Sequence, residues 1–267
     1  MRIRTVVATA TAAALSAALA VAALAAPAAG AARGAQDDSA STFWNIDVNH
    51  DRDYTVGVTA TQKRVFSVSA TVSDPSGVKS ASFELWHGDE DRAKADGVIT
   101  GSAQCHKINA LTSYCEALLT ADPNVNLRSN ALAGLWYMAP VAVDGDGNVT
   151  RGEGAYFARI KRPTYLSQTD ATPEPVKKGQ NLSVKAQMTV ASWAQHKNVP
   201  LIGHQVLLQY RKGTSGPFVT LKKLKTDSNG WAGATVKATA DGAYRYEFAG
   251  TSLTQPASGW TDYVDVK

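Results

Sequence analysis

Four oxygen-bearing side chains alternate along Asp47-x-Asn49-x-Asp51-x-Asp53. A hard cation such as calcium needs several oxygens at close range, and the first half of a calcium loop supplies them in this way. The run departs from a helix–loop–helix site in two places. Counting Asp47 as position one, Arg52 stands where the turn glycine belongs and Val58 where a bidentate Glu would close the shell. Asp144, Asp146 and Asn148 raise the same chemistry in Val143-Asp144-Gly145-Asp146-Gly147-Asn148-Val149, with Val149 at position six and Ala155 at position twelve. Gly and Asn also suit the positive φ of a hairpin, so this run reads equally as a turn. The seven residues are candidate calcium ligands, and a composite of both loops is open because loops gather at the ends of a sandwich.

Other chemistries find less support. His50, His87, His106, His196 and His204 show no zinc spacing, and neither H-E-x-x-H nor a G-x-S-x-G nucleophile elbow is present. No catalytic residue is assigned and the expectation is a non-enzymatic protein. A hydrolase with carboxylates drawn from distant segments is the remote alternative, since small modules leave little scaffold for a cleft. Among six tryptophans, Trp86 and Trp136 sit in strand patterns and read as core, whereas Trp193 and Trp260 lie in loop-like stretches and are the candidates for stacking on sugar rings. Cys105 and Cys115 are the only cysteines. They flank a turn at Asn109-Ala110-Leu111-Thr112, are expected to face each other on a hairpin, and should stabilise by about 2 to 3 kcal/mol if bonded.

The elements that must carry these residues begin after a leader. Met1-Arg2-Ile3-Arg4 is a short cationic start, Thr5 to Ala25 is uncharged and rich in Ala, Leu and Val, and small residues crowd positions 26 to 32. This reads as a secretory signal peptide over 1–32, followed by a flexible mature amino terminus over 33–41. No second apolar span follows, so no transmembrane segment is expected in the mature chain, which should be secreted and extracellular. The remaining portion is rich in Val, Thr, Ser, Tyr and Gly and reads as all-β. Short alternating runs from Phe43 to Lys161, and again from Tyr165 to Val266, give about seven strands in each half and predict two β-sandwiches, over 42–161 and 162–267. Leu182, Val184, Ala186, Met188 and Val190 alternate with polar partners, the mark of a sheet with one wet face. Pro163, Pro173 and Pro175 bracket a short, stiff junction.

Charge divides the same way. Residues 36 to 160 hold 16 Asp/Glu against 10 Lys/Arg, whereas 161 to 267 hold 7 against 14. This is either solvated surface charge or a basic module poised to meet an anionic cell-wall polymer. Nucleic acid is not expected, because the lysines are scattered through strand patterns without interleaved stacking aromatics.

As a set, Asp53-Tyr54-Thr55-Val56-Gly57-Val58, the run from Phe66 to Val78, Leu85-Trp86-His87-Gly88 and Asn130-Ala131-Leu132-Ala133-Gly134-Leu135-Trp136 resemble secreted actinobacterial proteins with paired immunoglobulin-like domains. Pro173 to Gln180, Val206 to Arg211, Thr226 to Gly230, Asp241 to Tyr246 and Asp262 to Val266 carry the companion pattern. The resemblance spans nearly all of the mature chain and implies two immunoglobulin-like sandwiches and secretion. Such proteins are often labelled calcium-binding, which makes calcium the implied ligand of the acidic half. The functional expectation is therefore a secreted, surface-associated binding protein. A carbohydrate or cell-wall polysaccharide module is the alternative.

Overall fold

Alternation of apolar and polar side chains builds every sheet of the computed structural model, which describes residues 40–50, 54–152 and 156–267. The expected leader, residues 33–39 of the mature amino terminus, and the candidate ligands Asp51 and Asp53 lie outside the described residues. Ser41, at the end of the segment expected to be flexible, is buried and donates its hydroxyl to Asp74 Oδ2 at 2.8 Å.

The first ten strands are β1 (Thr42–Val48), β2 (Thr55–Gly57), β3 (Arg64–Ser73), β4 (Val78–His87), β5 (Gly97–Ser102), β6 (Gln104–Lys107), β7 (Thr112–Ala121), β8 (Gly134–Asp144), β9 (Val149–Arg151) and β10 (Tyr156–Lys161). One sheet runs β1-β3-β7-β6; the other runs β2-β10-β8-β4-β5, with β9 folded back on β8. β2 is parallel to β10 and every other pair is antiparallel. These orders are the A-B-E-D and A′-G-F-C-C′ sheets of an immunoglobulin domain, so the fold follows from the strand order itself. Phe66, Val68, Ala70 and Val72 of β3 face Phe83 and Leu85 of β4 and Trp136 and Met138 of β8 across a closed core.

The second ten are β11 (Thr164–Leu166), β12 (Asp170–Thr172), β13 (Asn181–Ser192), β14 (Lys197–Pro200), β15 (Gln205–Lys212), β16 (Val219–Lys225), β17 (Trp231–Lys237), β18 (Gly242–Phe248), β19 (Ala257–Ser258) and β20 (Asp262–Val264). β13 organises one sheet. Its first half pairs with β12 and β17, and its second half pairs with β11 and β14. The facing sheet runs β16-β15-β18, with β19 and β20 both on β18. A parallel bridge between Val176 and Val266 repeats the parallel first-to-last closure of the first sandwich.

Only Arg162 and Pro163 separate β10 from β11, and residues 39 to 267 form one compact unit. The junction is bonded on both sides. Arg162 donates its backbone N–H to Leu253 O at 3.1 Å and accepts from Gln255 N at 3.0 Å, while Lys161 Nζ reaches Thr251 O at 2.9 Å.

The long β13 carries its hairpin with β14 beyond its own sandwich. The turn residue Trp193 is fully buried among the core residues of the first sandwich, and its indole N–H donates to Val58 O at 2.9 Å. This corrects the expectation of an exposed, sugar-stacking Trp193. The residue does lie in a loop, yet that loop is packed against a neighbouring sandwich, which local sequence cannot reveal.

Candidate functional site

Asp47 and Asn49 are placed apart from the second acidic run. A bulge in β1 between Trp44 and Asp47, with Asn45 at φ 50°, turns Asp47 outward opposite Ser69 and sends Val48 into the core. Asn49 and His50 take positive φ of 59° and 49°, which ends the strand. Asp47 Oδ2 lies 3.3 Å from His50 Nδ1, and His50 Nε2 lies 3.7 Å from Glu116 Oε1. Asn49 points its side-chain amide at Thr55 O at 3.4 Å. Asp144 sits at the far end of β3, where Gly145 N–H donates to Gly77 O at 2.8 Å. From Ser69 to Asp74 the chain is extended for about five residues, roughly 16 Å. Among the described residues, Asp47 and Asn49 therefore do not share a composite site with Asp144 and Asn148.

Within the second run both Asp144 oxygens are engaged. Oδ1 accepts Asn148 N–H at 2.8 Å and Oδ2 accepts Asn148 Nδ2 at 2.9 Å, while Asp146 is exposed. That is the geometry of a hydrogen-bonded turn.

Cys105 and Cys115 are directly opposite on β6 and β7 and are bonded. Asn109 Oδ1 accepts the N–H groups of Leu111 and Thr112 at 2.9 Å each, closing the intervening turn. Trp260 is 79% exposed in the connection between β19 and β20, so the second tryptophan candidate is open to solvent.

The charged surface of the second sandwich is organised by the same alternation. Tyr210, Tyr244 and Tyr246 pack inward, so Arg211 on β15 and Arg245 on β18 must point outward. Leu224 packs toward the core, so its neighbours Lys223 and Lys225 on β16 also face out. Lys222 turns the other way and donates to Thr235 O at 2.7 Å. Burial, aided by nearby Tyr210, pushes the Tyr244 hydroxyl up to about 12, and burial also raises Tyr246, so these tyrosines serve as neutral scaffold beneath the cations.

Phe218 comes back across this face from the connection between β15 and β16, in which Gly213 and Gly216 take positive φ of 63° and 96°. The guanidinium carbon of Arg245 lies 3.9 Å from its ring centroid and that of Arg211 4.7 Å. Arg245 Nε donates to Gln209 Oε1 at 2.8 Å. Its Nη2 lies 3.8 Å from Glu247, the one carboxylate paired with these cations among the described residues. Four acids of this half collect elsewhere. Burial, with the charges of Asp262, Asp265 and Asp170, holds Glu174 above the ordinary carboxylate value. The inward packing of Tyr210, Tyr244 and Tyr246 places Arg211 and Arg245 outward, but nothing local indicates that Phe218 reaches them.

No family model matches the chain, and no curated protein matches it. Solved structures similar to it include the fibronectin(III)-like modules of CbhA from Clostridium thermocellum, at 12% identity, covering 84% of this chain and 93% of that one, with a TM-score of 0.34. The D00-D0 domain of intimin is 15% identical over 82% of this chain and 98% of its own, with a TM-score of 0.25. A 1.5-MDa bacterial ice-binding adhesin is 12% identical over 86% and 66%, with a TM-score of 0.28. Among the described residues no helix is long and apolar enough to cross a membrane.

Proposed function

We propose that the mature chain is a secreted, non-enzymatic module that attaches at the cell exterior to an anionic polymer through the outer face of the β16-β15-β18 sheet. One observation carries this reading: Arg211, Arg245, Lys223 and Lys225 share a face on which Glu247 is the one paired carboxylate among the described residues, while three acids of the same sandwich, Asp170, Asp262 and Asp265, gather near Glu174. Cations with one paired carboxylate among them, spread along a sheet face, suit an extended polyanion, which gains by releasing condensed counterions along its length.

The test is retention of the mature chain on immobilised dextran sulfate, with chitin as a neutral control. Binding that weakens steeply between low and physiological salt is expected. Passage through the sulfated resin at low salt would overturn the reading. The exposure of Trp260 favours a second reading, neutral polysaccharide binding, whose signature would be salt-insensitive retention on chitin that Trp260→Ala abolishes.

A further inference from the structure

We infer that Arg211, Phe218 and Arg245 form a clamp for one tetrahedral oxyanion, a phosphate or sulfate group carried by the polymer; the inference rests on the anionic-polymer reading. Two guanidinium groups are seated against a single aromatic ring, at 3.9 and 4.7 Å from its centroid. The ring face attracts each cation and fixes its plane, so neither fork has to be ordered when a ligand arrives.

The seat brings two like charges to one ring with little compensation. Arg245 meets Glu247 at 3.8 Å, whereas Arg211 forms no ion pair among the described residues and its Nε is buried without a hydrogen-bond partner. The Nε is covered, so an incoming anion would meet the guanidinium groups at their outward Nη edges. A carboxylate presents two oxygens in one plane and fills one fork, while a tetrahedral group presents oxygens out of that plane and can serve both. Lys223 and Lys225, two residues apart on the edge strand and so about 7 Å along it, give the rest of the polymer a charged track without fork geometry.

The test uses the mature chain with two polymer probes, polyphosphate for tetrahedral and polygalacturonate for planar oxyanions, and inorganic phosphate as competitor. The double variant Arg211→Lys with Arg245→Lys keeps the charge and removes both forks. It should bind polyphosphate about tenfold more weakly at an unchanged salt slope, the loss expected for one charge-assisted hydrogen bond, and polygalacturonate within about twofold of the parent. Phe218→Leu, which removes the ring, should shift polyphosphate binding in the same direction. Lys223→Gln with Lys225→Gln should instead weaken both polymers and flatten the salt slope by roughly 1 to 2.

The clamp is overturned if the Arg-to-Lys pair holds polyphosphate as tightly as the parent, or loses both polymers equally. Complete displacement of polyphosphate by equimolar inorganic phosphate would overturn the polymer-borne part and leave a site for free phosphate. Failure of the parent chain to bind either polymer would instead sink the attachment reading, which keeps the two failures distinct. Thermal melts confirm folding, and the charge-conserving pair decides the matter even where Phe218→Leu fails to fold.

Discussion

Asp144 is almost wholly covered, and burial alone would raise its pKa. Hydrogen bonds from the side chain and backbone of Asn148, and from the backbones of Gly147 and Asp146, outweigh burial and hold the carboxyl below its ordinary value. A depressed native pKa means that the unfolded chain binds the proton more readily. The turn therefore contributes its full stability above the ordinary value of 3.8 and loses it as pH falls through the lower native value. Asp144→Ala should lower the melting temperature at pH 7, by an amount that shrinks as the pH approaches 3. Because both oxygens are already bonded, the loss should be the same in calcium as in chelator. Differential scanning calorimetry across that pH range checks both statements. Glu174 runs the other way, since burial and neighbouring carboxylates raise its native pKa. It disfavours folding once pH rises through that value, so Glu174→Gln should raise the melting temperature at pH 7 and show no gain near pH 4.

At the scale of elements, the β13–β14 hairpin does the most. It ends in Trp193, which fills space in the first sandwich, and its tip is held by Asn130. The Asn130 Oδ1 accepts Trp193 N–H at 2.8 Å, and its Nδ2 donates to Ser192 Oγ at 3.0 Å. Trp193→Ala should cost about 3 to 5 kcal/mol in chemical denaturation, the range for emptying a large aromatic site in a packed core. The β6–β7 hairpin is closed twice, by its ladder and by the disulfide. Replacing Cys105 and Cys115 with Ala should cost about 2 to 3 kcal/mol from loop closure alone, with the amides of edge strand β6 exchanging fastest. A loss well below 1 kcal/mol would show that the ladder already restrains the unfolded chain.

At the scale of the whole molecule, the two sandwiches differ in charge and share part of a core. Since Trp193 belongs to the first sandwich's core by position and to the second by sequence, residues 42–161 expressed alone should melt well below the same residues within the full chain. Equal melting temperatures would show that the shared tryptophan adds nothing to the first sandwich. Segregated charge belongs to this scale too, because the proposed attachment to a polyanion would depend on the summed field of one face and not on any one pair.

Strand existence was legible because the period of two is written into each segment, as in Leu182 to Val190, and the pairing of Cys105 with Cys115 followed from a short turn that Asn109 closes locally. What no segment encodes is distance between segments. Whether Asp47 and Asp144 share a loop cluster depends on strand register and a bulge. Whether Trp193 meets water depends on a contact with Val58, 135 residues away in sequence. Whether Arg211 and Arg245 share a ring depends on where the β15–β16 connection lays Phe218. Alternation and turn chemistry are local and survive in one dimension; burial, charge compensation and site assembly are sums over neighbours that only the folded chain defines.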